Sequence, residues 1–319
     1  MSEPEGRRVS WTEERGTSDE GSSRDDAPRR RAGARLDPLE GKVAVVTGGA
    51  GGIGLAMGRA FAAQGMRVVL ADVEEPALTK AAAEIGALGV LADVTSENSM
   101  RELADRVYEA HGAAHLLCNN AGIGPAAAPP IWEQETGDWR WGMDVNVLGI
   151  LHGLRAFLPR MIASGGPGHV VNTASGNGGV APIPSAAVYA VTKAAVVTLT
   201  ECLYGQLAGT SIGASVLFPG PHMLRTGIFT AERNRPARYA RSVPGPPARN
   251  ADEVAEMMRA HGIDPQFTPV EEVADHVVEA VREDRFWILP DSDRTDAMIH
   301  ARTESMRTRS TPTYLRGAS

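Results

Sequence analysis

Val43-Ala-Val-Val-Thr47-Gly48-Gly49-Ala50-Gly51-Gly52-Ile53-Gly54 decides how the rest of this chain is read. The short apolar run has the character of a buried strand. The glycines permit a tight turn and a close backbone approach. Leu55-Ala-Met-Gly-Arg-Ala-Phe-Ala-Ala63 then continues as a helix whose N-terminus faces that turn. Unsatisfied amides and the helix dipole at such an end make a site for a pyrophosphate. Because Gly51 is an extra glycine, the loop fits GxGxxG, TGxxGxxG and TGxxxGxG together. It points to a dinucleotide without choosing an enzyme branch.

Downstream, Arg67-Val-Val-Leu-Ala-Asp72 reads as a second strand ending in an acid. Its distance from the glycines suits a carboxylate that holds an adenosine ribose. Asp93-Val94 ends a third apolar run, and Asn119-Asn120-Ala121-Gly122 ends a fourth. A single Asp or Asn at a strand end is usually a turn former. Several in register behind a glycine loop outline a cofactor crevice instead. Residues 75–85 and 95–111 read as crossover helices, so the sheet must be parallel. One long helix is expected from Gly137 to Ala163, a fifth strand from His169 to Ser175, and a helix from Ser185 to Leu207. A sixth strand runs over 213–218, a helix over 269–283, and a last short strand begins at Phe286. Trp132, Trp139 and Trp141 read as packing anchors rather than substrate platforms, with Trp132 in a loop that could instead border the pocket.

Tyr189-Ala-Val-Thr-Lys193, with Ser175 upstream, carries the chemistry. Residues four apart share a helix face, so an ammonium can lie beside a phenol. A nearby cation favours phenolate and would lower the Tyr189 pKa from about 10. Lys42, Lys80 and Lys193 are the only lysines in a chain that otherwise uses arginine.

These motifs together resemble the short-chain dehydrogenase/reductase family, in its compact single-domain branch. The resemblance runs in family order from residue 41 to about 290. It rests on the loop 47–54, Asp72, Asp93-Val94, Asn119 to Gly122, Asn146, Ser175, Tyr189/Lys193 and Phe218-Pro219-Gly220. It implies an α/β domain with a doubly wound parallel sheet (Rossmann fold) and helices on both faces. The implied catalytic set is Asn146, Ser175, Tyr189 and Lys193. Tyr189 is then the proton donor or acceptor, Ser175 the partner of the substrate oxygen, and Lys193 the contact to the nicotinamide ribose. Asn146 is the position that holds a water linking the lysine to solvent. The cofactor contacts carried over are Gly48, Gly52, Ile53, Gly54, Asp72, Asp93, Val94, Asn120, Ala121, Gly122, Tyr189, Lys193, Pro219, Gly220 and Thr226. Thr226 comes later after Pro-Gly than the family pattern, and Ser175 precedes Tyr189 by one residue more than usual. Ser185 is a rival serine that lies too close to the tyrosine helix.

NAD(H) is expected over NADP(H), because Asp72 would meet a 2′-phosphate directly. Glu74 and Glu75 add negative charge, and the positions that relatives fill with a base are Gly49, Ala50, Gly51 and Val73. The substrate class is a secondary alcohol or ketone. Ile183, Met223, Leu224, Ile228 and Phe229 point to an apolar one; the arginines of the lid at about 221–250 read as a solvated face, with a clamp for an acidic substrate as the other reading. A regulatory protein without catalysis, and an epimerase or dehydratase that recycles its nicotinamide, are the alternative classes. The intact Asn/Ser/Tyr/Lys set argues against the first, and the short region after the Tyr/Lys helix against the second.

A net charge of −7 disfavours nonspecific nucleic-acid binding. The two cysteines, Cys118 and Cys202, form no disulfide framework or metal cluster and read as core fillers. Residues 1–40 are expected to be a disordered tail, with Arg29-Arg-Arg31 offset by neighbouring acids. The catalytic domain is expected over 41–290, and a partly helical C-terminal tail over 291–319. The tail lacks the pattern of a secretory signal, and Val188–Leu199 is too short to span a bilayer. A cytoplasmic homodimer or homotetramer without membrane or nucleic-acid partners is the expectation.

Overall fold

A computed structural model describes residues 35–124, 128–242 and 249–315. The strands are β1 (Val43–Thr47), β2 (Arg67–Asp72), β3 (Leu88–Leu91), β4 (Leu116–Asn119), β5 (Gly168–Thr173), β6 (Ile212–Leu217) and β7 (Trp287–Ile288). They form one sheet in the order β3-β2-β1-β4-β5-β6-β7. Every pairing is parallel. The order reverses between β1 and β4, so a crevice opens there at the carboxyl ends of the strands.

The helices are α1 (Gly52–Ala63), α2 (Glu75–Ile85), α3 (Glu97–His111), α4 (Thr136–Met143), α5 (Gly149–Ala163), α6 (Gly176–Gly179), α7 (Ala187–Gln206), α8 (Ala251–Ala260), α9 (Val270–Glu283) and α10 (Asp293–Thr308). The central strands are buried on both faces, and alternate residues feed two cores. Val43, Val45, Val69, Leu117 and Val170 pack with Met100 of α3, Phe157 of α5 and Val196 of α7. Ala44, Val46, Leu70, Leu116 and Val171 pack with Met57 and Phe61 of α1, Leu78 of α2 and Val277 of α9.

Several expectations are corrected. The domain starts before residue 41: Leu36 and Leu39 are 0% and 1% exposed and join the second core. Their apolar side chains lie in a charge-rich stretch, which masked them. The rest of the expected tail, including Arg29-Arg-Arg31, lies outside the described residues. The helix expected over 137–163 contains a π turn, Asp144–Leu148, between α4 and α5. Cys118 is buried but Cys202 is exposed, because position 202 of α7 turns away from the sheet. Trp141 is buried while Trp132 is 83% exposed, so only the former anchors packing. Pro184–Gln206 is long and apolar enough to cross a membrane by length and composition, which the apolar run alone did not suggest. Here its inner face, with Val196 and Leu203, packs in the first core.

Candidate active site

The glycine loop shows which fingerprint the backbone uses. Gly48 has φ +67, and a Cβ there would lie 2.9 Å from Ala121 Cα. A Cβ on Gly54 would lie 2.0 Å from the Gly48 carbonyl oxygen. Gly51 is extended and a Cβ on it would meet nothing within 4 Å. Of the overlapping patterns, TGxxxGxG is therefore the one demanded by geometry, and Gly51 is the dispensable glycine. No side chain caps α1, which leaves its first amides facing the crevice.

Thr47 ties the loop to the end of β4. Its hydroxyl accepts from the backbone amides of Asn120 and Ala121 at 3.0 and 3.1 Å. The Asn120 side-chain amide donates to the Thr47 carbonyl at 3.1 Å. At the tip of β2, Asp72 accepts from Ala50 N at 3.0 Å and from Glu74 N at 3.1 Å. Its carboxylate is thereby fixed at the rim.

A cavity of about 1210 Å³ runs along this edge of the sheet. That exceeds the usual volume for one small ligand, and suits a dinucleotide together with a second molecule. Gly48, Gly52, Ile53, Asp72, Asp93, Val94, Asn120, Ala121 and Gly122 line it, as do Ser175, Tyr189, Lys193, Pro219, Gly220 and Thr226. Gly54 and Asn146 do not. Gly54 is needed for packing against Gly48. Asn146 is 1% exposed and works from behind the wall. Its amide accepts from Ile123 N at 2.9 Å, donates to Ile123 O at 3.1 Å, and donates to Thr192 Oγ1 at 3.0 Å. The π turn that carries Asn146 widens the helix at this point, a distortion that recurs at functional sites.

Ser175 caps α6, where its oxygen accepts from Asn177 N at 3.2 Å. It also hydrogen-bonds the Tyr189 phenol. Lys193 is 3% exposed, donates to Thr173 O at 2.8 Å, and places Nζ 5.7 Å from the Tyr189 ring centre. Lys193 was expected to pull the phenol down; in the free protein burial prevails. Burial raises the Tyr189 pKa, with the Ser175 hydrogen bond opposing it. Burial also lowers the Lys193 pKa to about 8. Lys193 is buried and Tyr189 half-buried in the cavity wall, where desolvation works against the charged form of each.

The lid arginines are not free to clamp an acid. Arg233 pairs with Glu74, and Arg235 and Arg241 reach Asp138 at 2.7 and 2.8 Å. Arg238 lies 3.6 Å from Asp93, and Arg225 lies 3.0 Å from Asp252. Tyr239 adds a hydrogen bond to Asp144 at 2.5 Å. The described part of this segment is thus strapped over the crevice by its own ion pairs. Thr226 sits at the strap's start, where a Cβ on Gly52 would meet its side chain at 3.0 Å.

Sequence reasoning missed the far wall. Met258, Ile263, Met298, Tyr314 and Leu315 line the cavity beside the expected Ile183, Met223, Leu224, Ile228 and Phe229. Three of these lie beyond residue 290, in the segment read as a tail. Arg302 of α10 docks that segment by donating to the carbonyls of Gly178, Gly179 and Val180, the last at 2.8 Å. The available signal was Ser292 ahead of an acidic first turn, a helix-start pattern. Among the described residues, no three His, Cys, Asp or Glu are grouped to hold a metal.

The family pattern described as short chain dehydrogenase matches residues 42–236. The chain is 34% identical over 263 residues to a C alpha-dehydrogenase of Sphingobium sp., covering 80% of this chain and 82% of that one. A short-chain dehydrogenase/reductase from Burkholderia phymatum, solved with NAD, superposes with a TM-score of 0.77 at 37% identity. That match covers 86% of this chain and 98% of the other. A metagenomic short-chain oxidoreductase solved with NADP gives a TM-score of 0.60 at 25% identity, covering 80% and 100% of the two chains.

Proposed function

This chain belongs to the short-chain dehydrogenase/reductase family of oxidoreductases, and from that premise we propose that it interconverts an apolar secondary alcohol and its ketone with NAD(H). The observation that carries the reading is the convergence of Ser175, Tyr189 and Lys193 on one cavity with the glycine loop and Asp72. The uncapped α1 amides suit a pyrophosphate, and Asp72 suits the two hydroxyls of an adenosine ribose. The nicotinamide would supply or accept the hydride.

The chain's own residues handle the proton. Tyr189 gives it to the carbonyl oxygen in reduction, or takes it from the hydroxyl in oxidation. Ser175 donates to the same oxygen and stabilises charge as it develops there. Lys193 holds the ribose and sets the field at the phenol. Asn146 positions the backbone at Ile123 and, through Thr192, the turn of α7 between Tyr189 and Lys193. The apolar walls exclude water and favour a cyclic or long-chain substrate.

NAD is favoured because Asp72 and a 2′-phosphate would repel each other. Like charges in contact at an effective dielectric near 20 repel by ~4 kcal/mol before screening. Steady-state kinetics with both cofactors on a panel of secondary alcohols test the reading. The expected result is kcat/KM at least about a hundredfold higher with NAD, with net NADH release. Equal values for the two cofactors would place Asp72 away from the ribose. A bulky apolar alcohol should outperform a small polar one; equal kcat/KM counts against the apolar pocket.

A further inference from the structure

By sequence, no base stands near Asp72 to receive a 2′-phosphate, yet the fold brings one to the neighbouring Glu74 from 159 residues further along the chain. Arg233 of the strap meets Glu74 through both Nε and Nη2. Asn234 donates to the same carboxylate at 2.8 Å. Glu74 is held in turn, since its backbone amide donates to Asp72 Oδ1 at 3.1 Å. Asp72, Val73, Glu74, Arg233 and Asn234 all line one end of the cavity.

The other edge of the guanidinium is anchored within the strap. Arg233 Nη1 donates to Thr230 O and Thr230 Oγ1, each at 2.8 Å, and to Gly227 O at 3.1 Å. One edge therefore fixes the group, and the Nε/Nη2 edge presents two parallel donors to Glu74. That fork is the geometry that also receives a phosphate.

We propose that Glu74 and Arg233 form a cofactor-selectivity pair, in which Glu74 occupies an arginine fork otherwise placed to bind the 2′-phosphate of NADP. The proposal rests on the reading that Asp72 marks the ribose site. Glu74 is ionised in this role: burial opposes ionisation, but the hydrogen bonds from Arg233 and Asn234 hold its carboxyl below the usual range. The pair is then neutral as a unit. A phosphate entering beside it meets the Asp72 charge and an arginine already paired. Removing the Glu74 charge alone leaves Arg233 in place, because its Nη1 bonds do not involve Glu74.

The test is a double-mutant cycle on the full chain, with dissociation constants for NAD+ and NADP+ from calorimetric titration. Glu74→Gln keeps the shape of the side chain and an acceptor for Asn234. It should tighten NADP+ binding about tenfold, the scale of a hydrogen bond to a charged group, and leave NAD+ within about threefold. In an Arg233→Ala background the same substitution should change NADP+ binding by less than about threefold. Equal tightening in both backgrounds would assign the effect to charge removal and overturn the pair, as would no tightening by Glu74→Gln. A wild-type protein that prefers NADP+ would sink the NAD reading alone, because the cycle compares variants with one another. Unchanged melting temperatures are expected, as both side chains are partly exposed at 44% and 28%.

Discussion

Tyr189 and Lys193 share a face of α7, but the environment of the pair differs from a phenol next to an exposed ammonium. Lys193 is enclosed and Tyr189 half-buried, and desolvation acts on them in opposite directions, up for the phenol and down to about 8 for the amine. Tyr189 therefore stands as phenol at neutral pH, the form that donates to a carbonyl. Oxidation needs the phenolate, whose population grows with pH. The expected profile is a kcat/KM for alcohol oxidation that rises with pH and is still climbing at the ordinary phenol pKa of about 10, while ketone reduction does not rise. A flat oxidation limb would remove Tyr189 from the role of base. Tyr189→Phe keeps the ring and loses the proton; kcat should fall by at least about a hundredfold, with cofactor affinity nearly unchanged. Retention of more than about a hundredth of the wild-type rate would contradict acid/base catalysis by this group.

Two elements carry more than their sequence suggests. The π turn at Asp144–Leu148 turns Asn146 inward onto the Ile123 backbone, so it supports the loop that follows β4. The stub before β1 buries Leu36 completely, and Arg35 Nε donates to Arg282 O of α9 at 3.1 Å. A chain beginning at Ala32 should melt with the full-length protein. One beginning at Leu39 loses the Leu36 burial, worth roughly 2 kcal/mol, and should melt about 3 °C lower. Identical melting curves for the two truncations would show that Leu36 adds nothing to the core.

The whole molecule leaves apolar side chains on the outer faces of its Asn146 and Tyr189 helices. Leu148, Leu151 and Val191 are 38%, 40% and 46% exposed. We propose that these faces meet those of a second copy of the chain, which would take all three side chains out of water. Light scattering at micromolar concentration should give at least a dimeric mass. Leu151→Arg with Val191→Arg should shift it towards the monomer by desolvating two charges at the contact. A monomeric wild type would refute this face as an interface.

The doubly wound sheet, the glycine loop and the Ser/Tyr/Lys group were legible in the sequence, because each depends on local order. Hydrophobic runs mark strands, Tyr189 and Lys193 meet by helical spacing, and the glycines must neighbour one another to make one turn. What only the tertiary structure decided involves partners distant along the chain. The sequence left three glycine patterns open, and the contact between Gly54 and the Gly48 carbonyl chose among them. The lid arginines looked like a solvated run or a substrate clamp until Glu74, Asp93 and Asp138 were found opposite them. The segment after residue 290 became a pocket wall through Arg302 and three carbonyls of the Ser175 loop. Burial of Tyr189 and Lys193 reversed the expected shift of the phenol. A charge or an apolar side chain has no meaning by itself in a sequence; its partner and its distance from water determine what it does, and both are set only when the chain has folded.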